Sequence, residues 1–204
     1  MPTSPRPVAP TLYQRLLGAP FFTLPDAVRL LHSNHGRLRC AGRASVEGGA
    51  GPLARLCARL AGLPRASADV PLTVDFVAEG GAEHWHRDFG GMRMTSRLRA
   101  RGGRLVERRG PLQFRFALHV NDGMVFWNTV GVRLFGLVPL PARLFEGVCC
   151  RERARGERYE FLVEAVLPLV GRVVRYEGWL APVDAQAGGS VGEESAIMQA
   201  LPQE

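Results

Sequence analysis

From Val70 to Leu180 apolar residues recur at every second position, in short runs set off by glycine pairs. This is the alternation of strands that bury one face. Leu72, Val74 and Phe76 alternate with Thr73 and Asp75 before Gly80-Gly81, and Trp85, Arg87 and Phe89 alternate with His84, His86 and Asp88 before Gly90-Gly91. Met92, Met94 and Leu98 follow, then Gly102-Gly103, a short segment from Arg104 to Arg109, and Gly110-Pro111. Leu112, Phe114, Phe116, Leu118 and Val120 form the clearest one-sided strand, and Asn121-Asp122-Gly123 supplies a tight hairpin into Met124 to Leu134. After a proline-punctuated excursion from Leu137 to Phe145, strands are predicted from Val148 to Arg153, through Tyr159 to Leu167, and from Arg172 to Leu180. An earlier strand spans Leu38 to Val46.

Helical spacing is confined to the first third. Thr11-Leu12-Tyr13-Gln14 offers a capping box to a short helix that stops by Gly18 and Pro20. A second helix is read as beginning in the same way at Thr23, ahead of Pro25 and Asp26, with Leu24, Val28 and Leu31 on one face and Gly36 beyond its end. Pro52 opens a third, in which Leu53, Leu56, Cys57 and Leu60 recur at spacings of three and four and define an apolar face. Nine or ten strands in a near-continuous meander, with helices only before them, describe an α+β domain built on one large antiparallel sheet. A sheet that wide must curl to bury its apolar face. The expected result is a half-open barrel or cup, its concave side plugged or lined by the three helices. The domain is placed at residues 11–183, between a proline-rich leader at 1–10 and a tail at 184–204 in which Ile197, Met198 and Leu201 could form a weak helix.

Composition narrows the partners. No stretch approaches the roughly 20 apolar residues of a membrane span, and the first ten residues lack the hydrophobic centre of a secretory signal, so a cytoplasmic location is the default expectation. The formal net charge is +7, and all 26 cationic residues are arginine. With 24 glycines and 15 prolines this composition reads as GC-rich coding, and nucleic acid is not expected as a partner. Arg37, Arg39 and Arg43, then Arg97, Arg99, Arg101 and Arg104, fall mostly at alternating positions, as the outward faces of strands require. Cys40, Cys57, Cys149 and Cys150 show no metal-binding spacing and are read as reduced thiols.

Two strands carry the candidate chemistry. His84, His86 and Asp88 leave one face of a strand together, but alternate positions are about 7 Å apart, too far for one small ion without a bulge. No metal or other cofactor is expected. On the opposite face Arg87 stands between Trp85 and Phe89, and a guanidinium in a core-facing register requires an anion. Either a glutamate supplies it (Glu107, Glu164 or Glu177), or the headgroup of a ligand does, with its tail on aromatic walls. Arg175, Tyr176 and Trp179 repeat the pairing of aromatic and cation near the end of the domain. Phe114, Phe116, Tyr159 and Phe161 complete the candidate ligand-binding set. There is no Gly-rich phosphate loop and no Gly-x-Ser-x-Gly elbow, and no catalytic residue is assigned.

Five blocks, Leu12-Tyr13-Gln14-Arg15-Leu16-Leu17-Gly18, Gly51-Pro52-Leu53-Ala54-Arg55-Leu56, Arg87-Asp88-Phe89-Gly90-Gly91, Glu107-Arg108-Arg109-Gly110-Pro111-Leu112 and Val174-Arg175-Tyr176-Glu177-Gly178-Trp179-Leu180, together resemble the bacterial family known as domain of unknown function 4166. The resemblance runs from about Leu12 to Val183. It implies a bacterial cytosolic domain, in some chains attached to a saccharopine-dehydrogenase-like oxidoreductase, and brings no catalytic residue with it. The resulting expectation is a monomeric or weakly dimeric, non-enzymatic cup for an apolar or amphipathic small molecule. An accessory domain working with an oxidoreductase chain, or a protein-interaction module, are the alternatives.

Overall fold

The computed structural model describes residues 8–183. The expectations placed on residues 1–7 and 184–204, including the weak C-terminal helix, lie outside the described residues. Eleven strands form: β1 Arg37–Gly48, β2 Ser67–Glu79, β3 Ala82–Phe89, β4 Met92–Arg101, β5 Arg104–Arg109, β6 Leu112–Asn121, β7 Met124–Leu134, β8 Val138–Leu140, β9 Gly147–Arg155, β10 Arg158–Leu167 and β11 Gly171–Pro182. All are antiparallel to their neighbours. The order β6-β5-β4-β3-β2-β1-β11-β10-β9-β7 is closed by a β6–β7 pairing, and β8 extends β7 outside the ring.

The sheet is therefore a closed ten-stranded barrel, where the alternation predicts a half-open one. Periodicity fixes which face is buried, and closure depends on the pairing of strands distant in sequence. Two glycines make room for that pairing. A Cβ at Gly42 would lie 1.8 Å from the Trp179 carbonyl oxygen, and one at Gly178 would lie 2.2 Å from that of Arg43. At β1–β11 the two backbones thus approach more closely than any side chain allows.

The helices divide in role. α1 (Leu12–Leu17) carries the capping box as read from the sequence, Thr11 accepting from the Gln14 amide and Gln14 reaching back to the Thr11 amide. A 3-10 turn over Ala19–Thr23, not foreseen, leads to α2 (Asp26–His32). α2 has no side-chain cap: the Thr23 hydroxyl instead donates to the Pro20 carbonyl. Leu12, Tyr13, Leu17, Phe21, Leu24, Val28, Leu31 and His32 of this segment are all buried, and they stop one end of the barrel.

α3 (Pro52–Leu60) corrects the reading that all three helices plug or line the concave side. It crosses between β1 and β2 at the other end, and only Ala54 of the helix is buried. Leu53, Leu56 and Leu60 are 52%, 51% and 69% exposed. The apolar stripe is real, but it faces away from the barrel.

Candidate functional site

Inside the barrel the pleat brings inward one residue in two from each strand. From β3 these are Glu83, Trp85, Arg87 and Phe89, from β5 Glu107 and Arg109, from β6 Phe114 and Phe116, from β9 Cys150 and Glu152, and from β10 Tyr159 and Phe161. With Trp127 and Tyr176, all of these except Glu83 surround a narrow cavity that offers about 70 Å³ to the centres of water molecules. Of the ten residues proposed from sequence to bind a ligand, Trp85, Arg87, Phe89, Phe114, Phe116, Tyr159, Phe161 and Tyr176 line it. Arg175 and Trp179 do not. Arg175 bonds Glu47 and Glu177 on the outer surface, and Trp179 lies under the guanidinium of Arg158 there, 4.2 Å from its carbon.

The wall of the cavity carries two arginines, Arg87 and Arg109. Arg87 donates to Ser96 Oγ at 2.8 Å, and its guanidinium carbon sits 4.7 Å from the Trp85 ring centroid. None of the three glutamates considered as its partner reaches it: Glu164 is held by Arg172, Glu177 by Arg175, and Glu107 makes no ion pair within 4.0 Å among the described residues. Arg109 faces the same space over Phe114, and its buried Nε has no hydrogen-bond partner among the described residues. Sequence reasoning missed Arg109, because in the short run Arg108-Arg109 alternation alone does not say which residue points inward. Two guanidiniums thus share an aromatic lumen with two carboxylates, Glu107 and Glu152, and neither carboxylate pairs with them within 4.0 Å among the described residues.

The floor is polar. His32 Nε2 lies 2.7 Å from Glu152 Oε2, with both side chains excluded from water, and Tyr13 stacks on the imidazole at 3.6 Å between centroids. Trp85 Nε1 donates to Glu83 Oε2 at 2.9 Å. Tyr13 Oη, His32 Nδ1, Trp127 Nε1 and Glu152 Oε1 are buried without a hydrogen-bond partner among the described residues. Burial, followed by the Glu152 charge, holds the Tyr13, Tyr159 and Cys150 protons far above their usual ranges. Burial also pushes the Glu83 carboxyl upward, and it takes the Cys40 thiol to about 12. These tyrosines and thiols therefore act as neutral donors and packing groups near neutral pH.

The His84, His86 and Asp88 row stands on the outer face of β3. Asp88 accepts from the Gly91 amide to close the β3–β4 turn and pairs with Arg93 at 3.8 Å. No group of three or more histidine, cysteine, aspartate or glutamate side chains arranged to hold an ion occurs among the described residues. Among the described residues no helix is long and apolar enough to cross a membrane.

Comparison with known proteins gives one sequence relationship. The family model described as Domain of unknown function (DUF4166) matches residues 24–180. No curated protein matches the chain. Among solved structures, Rv2717c from M. tuberculosis resembles it at a TM-score of 0.42 and 13% identity, over 78% of this chain and 99% of that one.

Proposed function

From the premise that the chain belongs to the DUF4166 family, we propose that its barrel is a non-enzymatic binding site for an amphipathic small-molecule anion. The observation that carries this reading is the pair Arg87 and Arg109, turned into an aromatic lumen without an ion pair among the described residues. A guanidinium withdrawn from water without a counter-charge is costly. A carboxylate or phosphate headgroup supplies that charge through the bidentate geometry arginine favours. The tail of such a molecule lies along Phe89, Phe114, Phe116 and Tyr176. The space is slender, so a single acyl chain or a flat aromatic acid suits it better than a branched molecule.

The test is a titration with dansylundecanoic acid and with its methyl ester, read by energy transfer from Trp85 and Trp127. The acid is expected to bind, and Arg87→Met to weaken it by about 1.5 to 3 kcal/mol, the range for a hydrogen bond to a charged group. Binding of the ester should be indifferent to the substitution. Equal binding of acid and ester by the parent protein, or binding of neither, overturns the proposal.

A further inference from the structure

The two ends of the barrel are built differently. Because neighbouring strands are antiparallel, successive connections alternate between ends. The β2–β3, β4–β5, β6–β7 and β9–β10 turns share one end with α1 and α2, whose side chains stop it. The opposite end carries α3 and the β3–β4, β5–β6, β7–β8 and β10–β11 connections. Hydrogen bonds tie these connections into a rim: the Gly49 amide to the Val173 carbonyl, the Arg65 amide to Met92 Sδ, and the Phe135 amide to the Pro111 carbonyl. Arg109 of the cavity wall lies one residue before this rim.

That rim carries the larger share of the apolar surface left in water; at the other end Phe22 and Leu30 are 63% and 55% exposed. Leu53, Leu56 and Leu60 of α3 point outward, Phe135 and Leu137 are 63% and 78% exposed on the β7–β8 turn, and Leu169 is fully exposed on the β10–β11 turn. Isolated exposed apolar residues need no explanation, but a set gathered at one end of a molecule does. Phe135 and Leu169 also adopt positive φ, at 52° and 65°, an uncommon conformation for large side chains at the tips of tight turns. The unpaired charge beside them is mostly cationic. Arg55, Arg59, Arg65, Arg108, Arg133 and Arg143 are exposed and make no ion pair among the described residues. Glu47, Glu164, Asp69 and Asp88 at this end are engaged by Arg172, Arg175, Arg43 and Arg93, which leaves Glu146 as an exposed acid without an ion pair among the described residues.

We propose that this rim docks on an anionic lipid bilayer, with the apolar tips entering the acyl boundary and the six arginines meeting lipid phosphates. A short amphipathic helix lying in the interface with basic residues beside its apolar face is a membrane-surface device. A basic cluster adds about 1 kcal/mol per charge near an anionic surface, or about fivefold in affinity. The inference rests on the ligand reading for its purpose, since docking brings the end of the barrel that α1 and α2 do not stop to a store of amphipathic anions. Its test does not depend on that reading.

The experiment is sedimentation of the ligand-free protein with vesicles of phosphatidylcholine mixed with phosphatidylglycerol, and with phosphatidylcholine alone. The protein is expected to pellet with the mixed vesicles and to be released by salt. Leu56→Asp with Leu137→Asp should weaken binding by about tenfold or more, and Arg55→Ser with Arg59→Ser by about twenty-five-fold. All four side chains are exposed, and far-UV circular dichroism checks that each variant folds. No pelleting with mixed vesicles, or pelleting unchanged in the leucine variant, overturns the proposal. So does a concentration-dependent dimer in sedimentation velocity that the leucine variant abolishes, which would assign the rim to a second copy of the chain. Failure of the dansyl acid to bind while vesicles still do would remove the ligand reading and leave the docking surface standing.

Discussion

Glu83 sits at the floor of the barrel, where removal from water disfavours its charge. The His32 ring, the Trp85 indole N–H and Arg15 act in the opposite sense, but burial prevails and its pKa is raised above the ordinary 4.5. Folding therefore favours the protonated acid. Its contribution to stability is fully present below the ordinary value and is lost as pH rises through the higher folded one. Glu83→Gln keeps an oxygen for the Trp85 N–H and removes the titration. The melting temperature of this variant is expected to fall less than that of the parent between about pH 4 and pH 7, and scanning calorimetry across that range would register it. At this scale the sequence was partly legible. Arg87 between two aromatics could be placed inward by counting in twos along β3, but the His32–Glu152 pair joins positions 120 residues apart. Neither residue stands out locally, because a helix has to enter a barrel end before the two can meet.

Among the elements, all ten strands anticipated from alternation are present, and the three-residue β8 is the one addition. The turn glycines explain this success: each marks an end regardless of what the strand later pairs with. Burial of the third helix was misjudged for a related reason. An apolar stripe states that a face avoids water or meets lipid or protein, without naming the surface that receives it. The glycines at β1–β11 make a testable contrast. Gly42→Ala places its methyl into the Trp179 carbonyl, whereas at Gly131 in β7 a Cβ would meet only Arg115 Cδ at 4.0 Å. Gly42→Ala is expected to cost about 3 kcal/mol or more in urea denaturation, the upper range for overpacking, and Gly131→Ala less than about 1 kcal/mol.

For the molecule as a whole, one seam decides whether there is a barrel. β1 pairs with β2 on one side and with β11 on the other, so residues near 42 and near 180 must meet. A chain ending at residue 170 lacks β11 and leaves facing edges on β1 and β10. It is expected to show no cooperative thermal transition by circular dichroism, while the full chain melts in one step. Local pattern could not announce this closure, since the pairing that makes it is the longest-range one in the fold. The seam also sets the order of events during synthesis. Every hairpin from β2 to β10 can form as it leaves the ribosome, but the ring waits for the last strand to emerge, and until then two unpaired edges travel with the nascent chain. Speed of translation through the final third, and chaperone cover for those edges, therefore bear on the yield of this protein alongside the stability of the finished barrel.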